Sequence, residues 1–343
     1  MVDITVRGAG IFGLSIAWAC VQRGVRVQVV DPSGPGAGSS GGIVGALAPH
    51  VPENWNAKKA FQLDSLLMAP DFWAGVQDAG GVSPGYARTG RLQPLADDAA
   101  LDLARKRAVT ARDLWRGQAD WSVIRLEPAG WVPVSATGWG IFDTLTARLH
   151  PRRACAALAA ALAARGVVVK AEAPDRGRVL WATGVAGLEA LNAGRDRSLG
   201  NGIKGQAALL RHDAGDDPQL FVDGLHIIPH ADGTVAIGST SERDFADPAT
   251  TDAQLDALIN RSRLAVPTLR DAAVIARWAG VRPRARSRAP MLGPWPGRPG
   301  HYVANGGFKI GFGMAPKVAQ VMADLLLDDR DTIPAGFEVA ASF

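Results

Sequence analysis

Cysteine is nearly absent from this 343-residue chain, which holds only Cys20 and Cys155. They lie far apart inside helical-looking runs, with no CxxC pair and no histidine nearby, which excludes a disulfide framework and a zinc site. That usage fits a reducing, cytoplasmic setting. No stretch reaches about 18 uninterrupted apolar residues, so no membrane span is expected. The apolar run from Ile11 to Cys20 is not read as a signal-peptide core, because it lacks a basic leader and Gly8, Gly10 and Gly13 stand at its entrance. Internal repeats and low-complexity linkers are missing as well. Neither sign of charge dominates: the formal net charge is +4. An ordinary solvated surface accounts for it, and nucleic acid is not an expected partner.

Glycine, by contrast, is plentiful, with 40 residues. Hydrophobic residues make up 47% and charged residues 20%, an ordinary balance for a globular protein. The length exceeds twice that of a typical domain, so two structural domains are expected, each with its own core. Asp3 to Arg7 reads as a buried strand, Leu14 to Arg23 as a helix and Val25 to Val30 as a second strand, which together make a βαβ opening. Lys58 to Val76, Leu101 to Trp115, Arg153 to Arg165 before Gly166, Ala253 to Leu264 and Ala315 to Leu327 read as helices. Short runs such as Gly90 to Leu95, Trp131 to Val134, Leu225 to Pro229 and Val235 to Gly238 read as strands of an antiparallel sheet, and Val179 to Ala182 as a return to the parallel one.

The segment Gly8-Ala9-Gly10-Ile11-Phe12-Gly13 matches GxGxxG between a strand and a helix, and Asp31 ends the next strand 18 residues after Gly13. The first glycine permits the turn, the second admits a pyrophosphate to the backbone, and the third lets helix pack on strand. The helix N-terminus stabilises the phosphate charge, and Asp31 can accept hydrogen bonds from a ribose diol. Without that context the glycines would be no more than a tight turn. The fingerprint alone leaves NAD and FAD both open.

Further segments bear on that choice. After Asp31 come Gly36-Ala37-Gly38-Ser39-Ser40-Gly41-Gly42 and Gly45-Ala46-Leu47-Ala48-Pro49, then Ala182-Thr183-Gly184, Lys204-Gly205-Gln206, and Ile228-Pro229 with Asp232-Gly233 and Gly238-Ser239-Thr240. Trp278-Ala279-Gly280-Val281-Arg282-Pro283, Pro290 to Gly293 and the Gly-rich turn Gly306 to Gly313 complete the series. In this order they resemble the motifs of the D-amino-acid oxidase and glycine oxidase family of FAD-dependent oxidoreductases, from residue 4 to about residue 327. The resemblance implies an α/β fold: a Rossmann-like FAD-binding domain interleaved with an α+β substrate domain on a mostly antiparallel sheet. Residues 1–85, 143–204 and 276–343 would form the first, and 86–142 with 205–275 the second.

It also implies non-covalent FAD. No cysteine falls in the flavin-contact segments, and His50 is the one histidine near the first loops. Cofactor contacts are expected from Gly8, Gly10, Ile11, Phe12, Gly13, Asp31, Pro32, Ser39, Ser40, Leu47, Val168, Thr183, Gly184, Arg282, Gly307, Phe308, Lys309, Ile310 and Gly311. The substrate would be a small amine or amino acid, its acidic end clamped by Arg282, whose guanidinium fork suits a carboxylate. His226 and Lys309 join as substrate contacts at places where relatives carry tyrosine and arginine, and Gly307 replaces a histidine. The flavin carries the redox chemistry, so no protein base is assigned. Oxygen or a quinone would be the electron acceptor. Two other readings stand beside this one: an oxidase acting on a modified tRNA wobble uridine, to which the arginines from Arg277 to Arg298 would lend phosphate contacts, and a flavin- or NAD-binding module without turnover.

Overall fold

In a computed structural model, residues 2–343 are described. The chain opens with β1 (Ile4–Arg7), α1 (Ile11–Gln22), β2 (Val27–Val30), β3 (Ala46–Leu47) and α2 (Ala57–Gly80). It then enters β4 (Arg91–Pro94), α3 (Asp98–Leu114), β5 (Trp121–Arg125) and β6 (Trp139–Asp143). It returns through β7 (Ala147–Arg148), α4 (Pro151–Ala164), β8 (Val169–Lys170), β9 (Arg178–Trp181) and α5 (Gly184–Asn192). A second excursion runs through β10 (Gly200–Arg211), β11 (Gln219–Val222), β12 (Leu225–His230), β13 (Thr234–Gly238) and α6 (Ala253–Ala265). The last elements are β14 (Val274–Ala285), β15 (Met291–Pro294), β16 (His301–Asn305) and α7 (Gly311–Asp328).

Two sheets organise the molecule. A six-stranded sheet of order β15-β16-β9-β1-β2-β8 is parallel except for its β15–β16 edge pair. Its inner strands are largely apolar, as parallel strands covered on both faces are, and the buried Gln28 and Thr5 bond to each other. Helices α1, α2, α4 and α7 pack on one another around Leu14, Trp18, Leu66, Trp73, Leu158, Met314 and Met322. Each such side chain removed from water contributes ~1.5–3 kcal/mol. The other sheet, eight-stranded, has the order β14-β10-β13-β12-β11-β4-β6-β5 and is antiparallel except between β11 and β4. Against it α6 presses Leu255, Leu258 and Ile259 onto Leu210, Ile227 and Ile237.

Local chemistry places the helix ends. Asn56 accepts the Lys59 N–H at the start of α2, and Asp97 accepts the Ala100 N–H at the start of α3. Gly81, at φ 67°, closes α2 in the left-handed conformation that favours glycine. Three expectations shift. Trp131 to Val134 is not a strand: it crosses the sheet end as a loop, and Trp131 donates its indole N–H to the Pro218 carbonyl at 2.8 Å. Helix α7 begins at Gly311 rather than Ala315 and runs through Pro316. Strands β10 and β14 run on across the expected boundaries at 204 and 276, pairing from Gly200↔Ala285 to Leu210↔Val274. Cys20 and Cys155 are both free and buried. No group of metal-binding side chains occurs among the described residues, and no described helix is long and apolar enough to cross a membrane.

Candidate active site

A cavity of about 1010 Å³ runs from the C-terminal end of β1 and β2 to the face formed by β12, β13 and β14. Its first end is the glycine turn. Gly8 sits at φ 101° and donates its N–H to the Val30 carbonyl, fixing the turn on the neighbouring strand. A Cβ at Gly8 would lie 2.4 Å from the Ala182 oxygen, and one at Gly13 would lie 1.9 Å from the Gly8 oxygen. Protein packing therefore demands these two glycines. At Gly10 a Cβ would meet only the Ser40 hydroxyl, at 3.2 Å, and the remaining space is the cavity. Gly10 is also the N-cap of α1 and has no side-chain cap, so the first helical N–H groups need an outside acceptor. One is supplied by Ser40 Oγ, which accepts from Ile11 N at 3.0 Å and keeps its own proton to donate.

Asp31 closes this end. Its Oδ2 accepts from Ala9 N at 2.8 Å and its Oδ1 from Ser33 N at 2.9 Å, which hold the carboxylate at the tip of β2 with lone pairs left over. Pro32, Ser39, Thr183 and Gly184 line the wall beside it. An unfilled helix N-terminus, a backbone approach free of Cβ and a fixed acid suit a dinucleotide's pyrophosphate and ribose.

The other end is assembled from distant segments. Gly307 to Ile310 forms a turn docked on β14, with Phe308 N donating to the Pro283 carbonyl at 3.1 Å. A side chain at Gly307 would strike the Phe12 ring at 2.9 Å and Gly311 Cα at 3.0 Å, so packing in this chain favours the glycine that replaces the relatives' histidine. Phe12, Gly307, Phe308, Ile310 and Gly311 line the cavity beside the start of α7, which like α1 has no side-chain cap. Such an N-terminus stabilises negative charge set before it.

Arg282, only 8% exposed, reaches the same space from β14. Its Nη2 donates to the carbonyls of Thr240 at 2.7 Å and Lys204 at 3.2 Å, and its Nη1 donates to Ser239 Oγ at 2.6 Å. Burial pushes its pKa down to about 10, which still leaves it charged near neutrality. The expected fork is therefore partly engaged by the protein. His226, whose ring packs 4.7 Å from that of Phe221, also lines the cavity. Burial first, then Arg91 and Lys309, push its pKa down to about 3, so its imidazole is neutral in use. Lys309 lines the cavity as well, its ammonium 5.9 Å from the Phe308 centroid.

Arg282, His226 and Lys309 thus come together, although they lie on a strand, another strand and a turn far apart in sequence. Three nominated residues do not line the cavity. Gly13 lies behind the turn. Leu47 is fully buried in the wall, and Val168 is 65% exposed at the sheet edge, where β8 pairs with β2 for only two residues. Other lining residues were passed over, among them Arg7, Ser239 and Asn305. Ser239 stood inside a recognised motif. Asn305 carried no sequence signal, yet its Nδ2 holds the Gly184 carbonyl at 2.8 Å and its Oδ1 the Gly306 N–H at 2.7 Å. Arg7 ends β1 with its guanidinium on Asp175 at 2.6 Å.

The parallel sheet, the glycine turn and the long cavity define a dinucleotide-cofactor oxidoreductase. The FAD-dependent oxidoreductase family model matches residues 3–325, and the chain belongs to that family. It is an FAD enzyme. A glycine oxidase of Pseudomonas putida is 29% identical over 94% of this chain and 94% of its own. The crystal structure of glycine oxidase from Geobacillus kaustophilus superposes with a TM-score of 0.85, at 21% identity and 98% coverage of both chains. An L-proline dehydrogenase from P. horikoshii superposes at 0.81, with 18% identity and coverage of 98% of this chain and 96% of that one. The two structures share its fold.

Proposed function

We propose that this protein oxidises the C–N bond of a small amino acid or secondary amine with non-covalently held FAD. When bound, the flavin supplies a two-electron acceptor at N5 for the substrate C–H hydride, and water hydrolyses the imine that results. The observation that carries the reading is the polar cluster of Arg282, Ser239, His226 and Lys309 at the cavity end opposite the phosphate cradle. The family, and relatives named as glycine oxidases, support it.

In this reading the remaining Nη1 hydrogen of Arg282 holds the substrate carboxylate. The three hydrogen bonds to Ser239, Thr240 and Lys204 fix the guanidinium before substrate arrives, so little ordering is left to do on binding. His226, uncharged, meets the amine without adding repulsion. The polypeptide orients the C–H and excludes water, and the acceptor that reoxidises the enzyme is oxygen or a quinone.

The wobble-uridine alternative has less behind it, because its arginines do not form one face. Arg277 pairs with Asp256 at 2.5 Å, Arg282 is buried in the cavity, and Arg298 lies 4.5 Å over Trp295. The test is an anaerobic screen of the FAD-loaded protein with glycine, sarcosine, proline and D-amino acids. Bleaching of the flavin band by at least one is expected, and a flavin untouched by all of them would sink the proposal.

A further inference from the structure

The charge balance of the substrate end is uneven. Among the cavity-lining residues the one acid is Asp31, far away in the phosphate cradle, whereas Arg282 and Lys309 both stand at the polar end. Arg284 adds a third cation nearby. The guanidinium carbons of Arg282 and Arg284 lie 5.3 and 5.4 Å from the Phe308 centroid, and the Lys309 ammonium 5.9 Å. Phe308 adopts φ 45°, and its backbone bond to Pro283 holds the ring among them.

None of the three is neutralised. Among the described residues, neither the Lys309 ammonium nor the Arg284 guanidinium has a hydrogen bond or an ion pair, and the side-chain bonds of Arg282 go to neutral oxygens. The buried acid that acts on Arg282, Glu242, is already held by Gln206 at 3.1 Å and by the Thr240 hydroxyl, with Lys204 at 3.8 Å. Burial first, then Arg282 and Arg284, depress the Lys309 pKa, and an anion set beside it would act in the opposite direction.

A monocarboxylic amino acid answers half of this. Its carboxylate matches Arg282, and its amine must be uncharged to give up a hydride from the neighbouring carbon. Lys309, exposed at the cavity wall, would then stand beside Arg282 and Arg284 with no anion to offset three like charges gathered round one ring. We infer that the substrate is an amino acid or secondary amine carrying a second carboxylate, bound by Lys309 while Arg282 takes the first. Arg284, which is not part of the cavity wall, strengthens the positive potential that draws such an anion in. The inference rests on the proposed amine oxidation and adds the substrate class. It also accounts for lysine at position 309: a compact ammonium on a flexible stem follows a second carboxylate of variable reach better than a planar fork does.

The test compares matched pairs on the FAD-loaded enzyme, iminodiacetate against sarcosine and aspartate against asparagine in both configurations. The readout is the second-order rate constant of anaerobic flavin reduction. One charge-assisted contact is expected to favour the dicarboxylate roughly ten- to hundredfold. Lys309→Gln should collapse that ratio to near one, and Lys309→Arg should keep most of it. A wild-type ratio near one overturns the inference while leaving amine oxidation in place. Equal losses on both members of a pair in Lys309→Gln also overturn it, since they would make Lys309 a partner of the flavin or of the amine.

A second readout separates this inference from the reaction. Succinate and butyrate, neither an amine, are titrated against the visible spectrum of the bound flavin. Succinate binding tighter than butyrate in the wild type, with the advantage gone in Lys309→Gln, upholds the dianion site even if every amine leaves the flavin oxidised. Equal binding of the two overturns it.

Discussion

A methyl group on Gly13 would lie 1.9 Å from the Gly8 carbonyl oxygen, whereas one on Gly10 would meet only the tip of Ser40. The two glycines therefore fail differently. Gly13→Ala should destabilise the fold by ~1–3 kcal/mol or more, seen as a lower unfolding temperature with and without cofactor. Gly10→Val should keep its far-ultraviolet circular dichroism and lose flavin absorbance, because the added side chain occupies the phosphate space. Flavin retained in Gly10→Val would move the phosphate site elsewhere.

Arg282→Ala should keep FAD and lower kcat/KM roughly ten- to hundredfold, more for an amino acid than for its decarboxylated amine. Arg282→Lys should recover little, since one ammonium cannot reach Ser239, Thr240 and a substrate together. Equal losses on acid and amine would instead make Arg282 a packing residue.

Two histidines give the molecule an acid-sensitive stability. Burial lowers His226 to about 3 and His230 to about 4, against 6.5 for the free side chain. A base whose folded pKa is depressed stays neutral in the fold and takes up its proton first in the unfolded chain. Stability is therefore full above about pH 6.5 and is lost as pH falls towards 4 and 3. Urea unfolding of His226→Asn with His230→Asn should show a flatter profile between pH 6.5 and 4 than the wild type. Parallel profiles would mean that neither ring is desolvated in solution.

At the scale of elements, the long periodic helices and the βαβ opening were readable because their apolar spacing and caps agree. The start of α7 was not. Proline is favoured in the first helical turn, so Pro316 draws a sequence reading to Ala315, yet the helix begins four residues earlier and tolerates the lost hydrogen bond to Phe312. Trp131 to Val134 misled for another reason: a short apolar run can serve as sheet cover as well as strand, and only the indole's bond to Pro218 decides. Helix packing supplies a further test. A Cβ at Gly80 would come within 2.5 Å of the Ala161 nitrogen, so α2 crosses α4 with backbone nearly on backbone. Gly80→Val should push the helices apart and cost ~1–3 kcal/mol in chemical denaturation. An unchanged midpoint would show that the crossing is loose.

For the whole molecule, the phosphate end of the cavity was legible because its parts are neighbours in sequence. The substrate end was legible only through motif order. Lys309, Arg282 and His226 meet because a turn docks on β14 and β14 pairs through β10 and β13 to β12, a chain of register that no local pattern reveals. Asn305 escaped notice because an amide carries no spacing rule of its own, and Ser239, though inside a motif, gave no sign that its hydroxyl would meet Arg282. Since the cavity joins both sheets, cofactor binding should stabilise the entire chain. FAD at a hundred times its Kd adds ~2.7 kcal/mol, so the FAD-free protein should melt earlier in one cooperative transition. Two transitions, with only one shifted by FAD, would show that the two sheets unfold independently.

Strand β14 turns Arg282 into the cavity while Arg277, five residues earlier and on the other face of the strand, reaches outward to α6. Evolution or design that seeks a new substrate here must keep the strand's length as well as its letters. Side chains alternate faces along a strand, so one residue gained or lost before Arg282 would turn the guanidinium away and put valine or proline in its place. Point substitutions along β14 can grade the enzyme's preferences, but a single-codon insertion or deletion would be an all-or-nothing event.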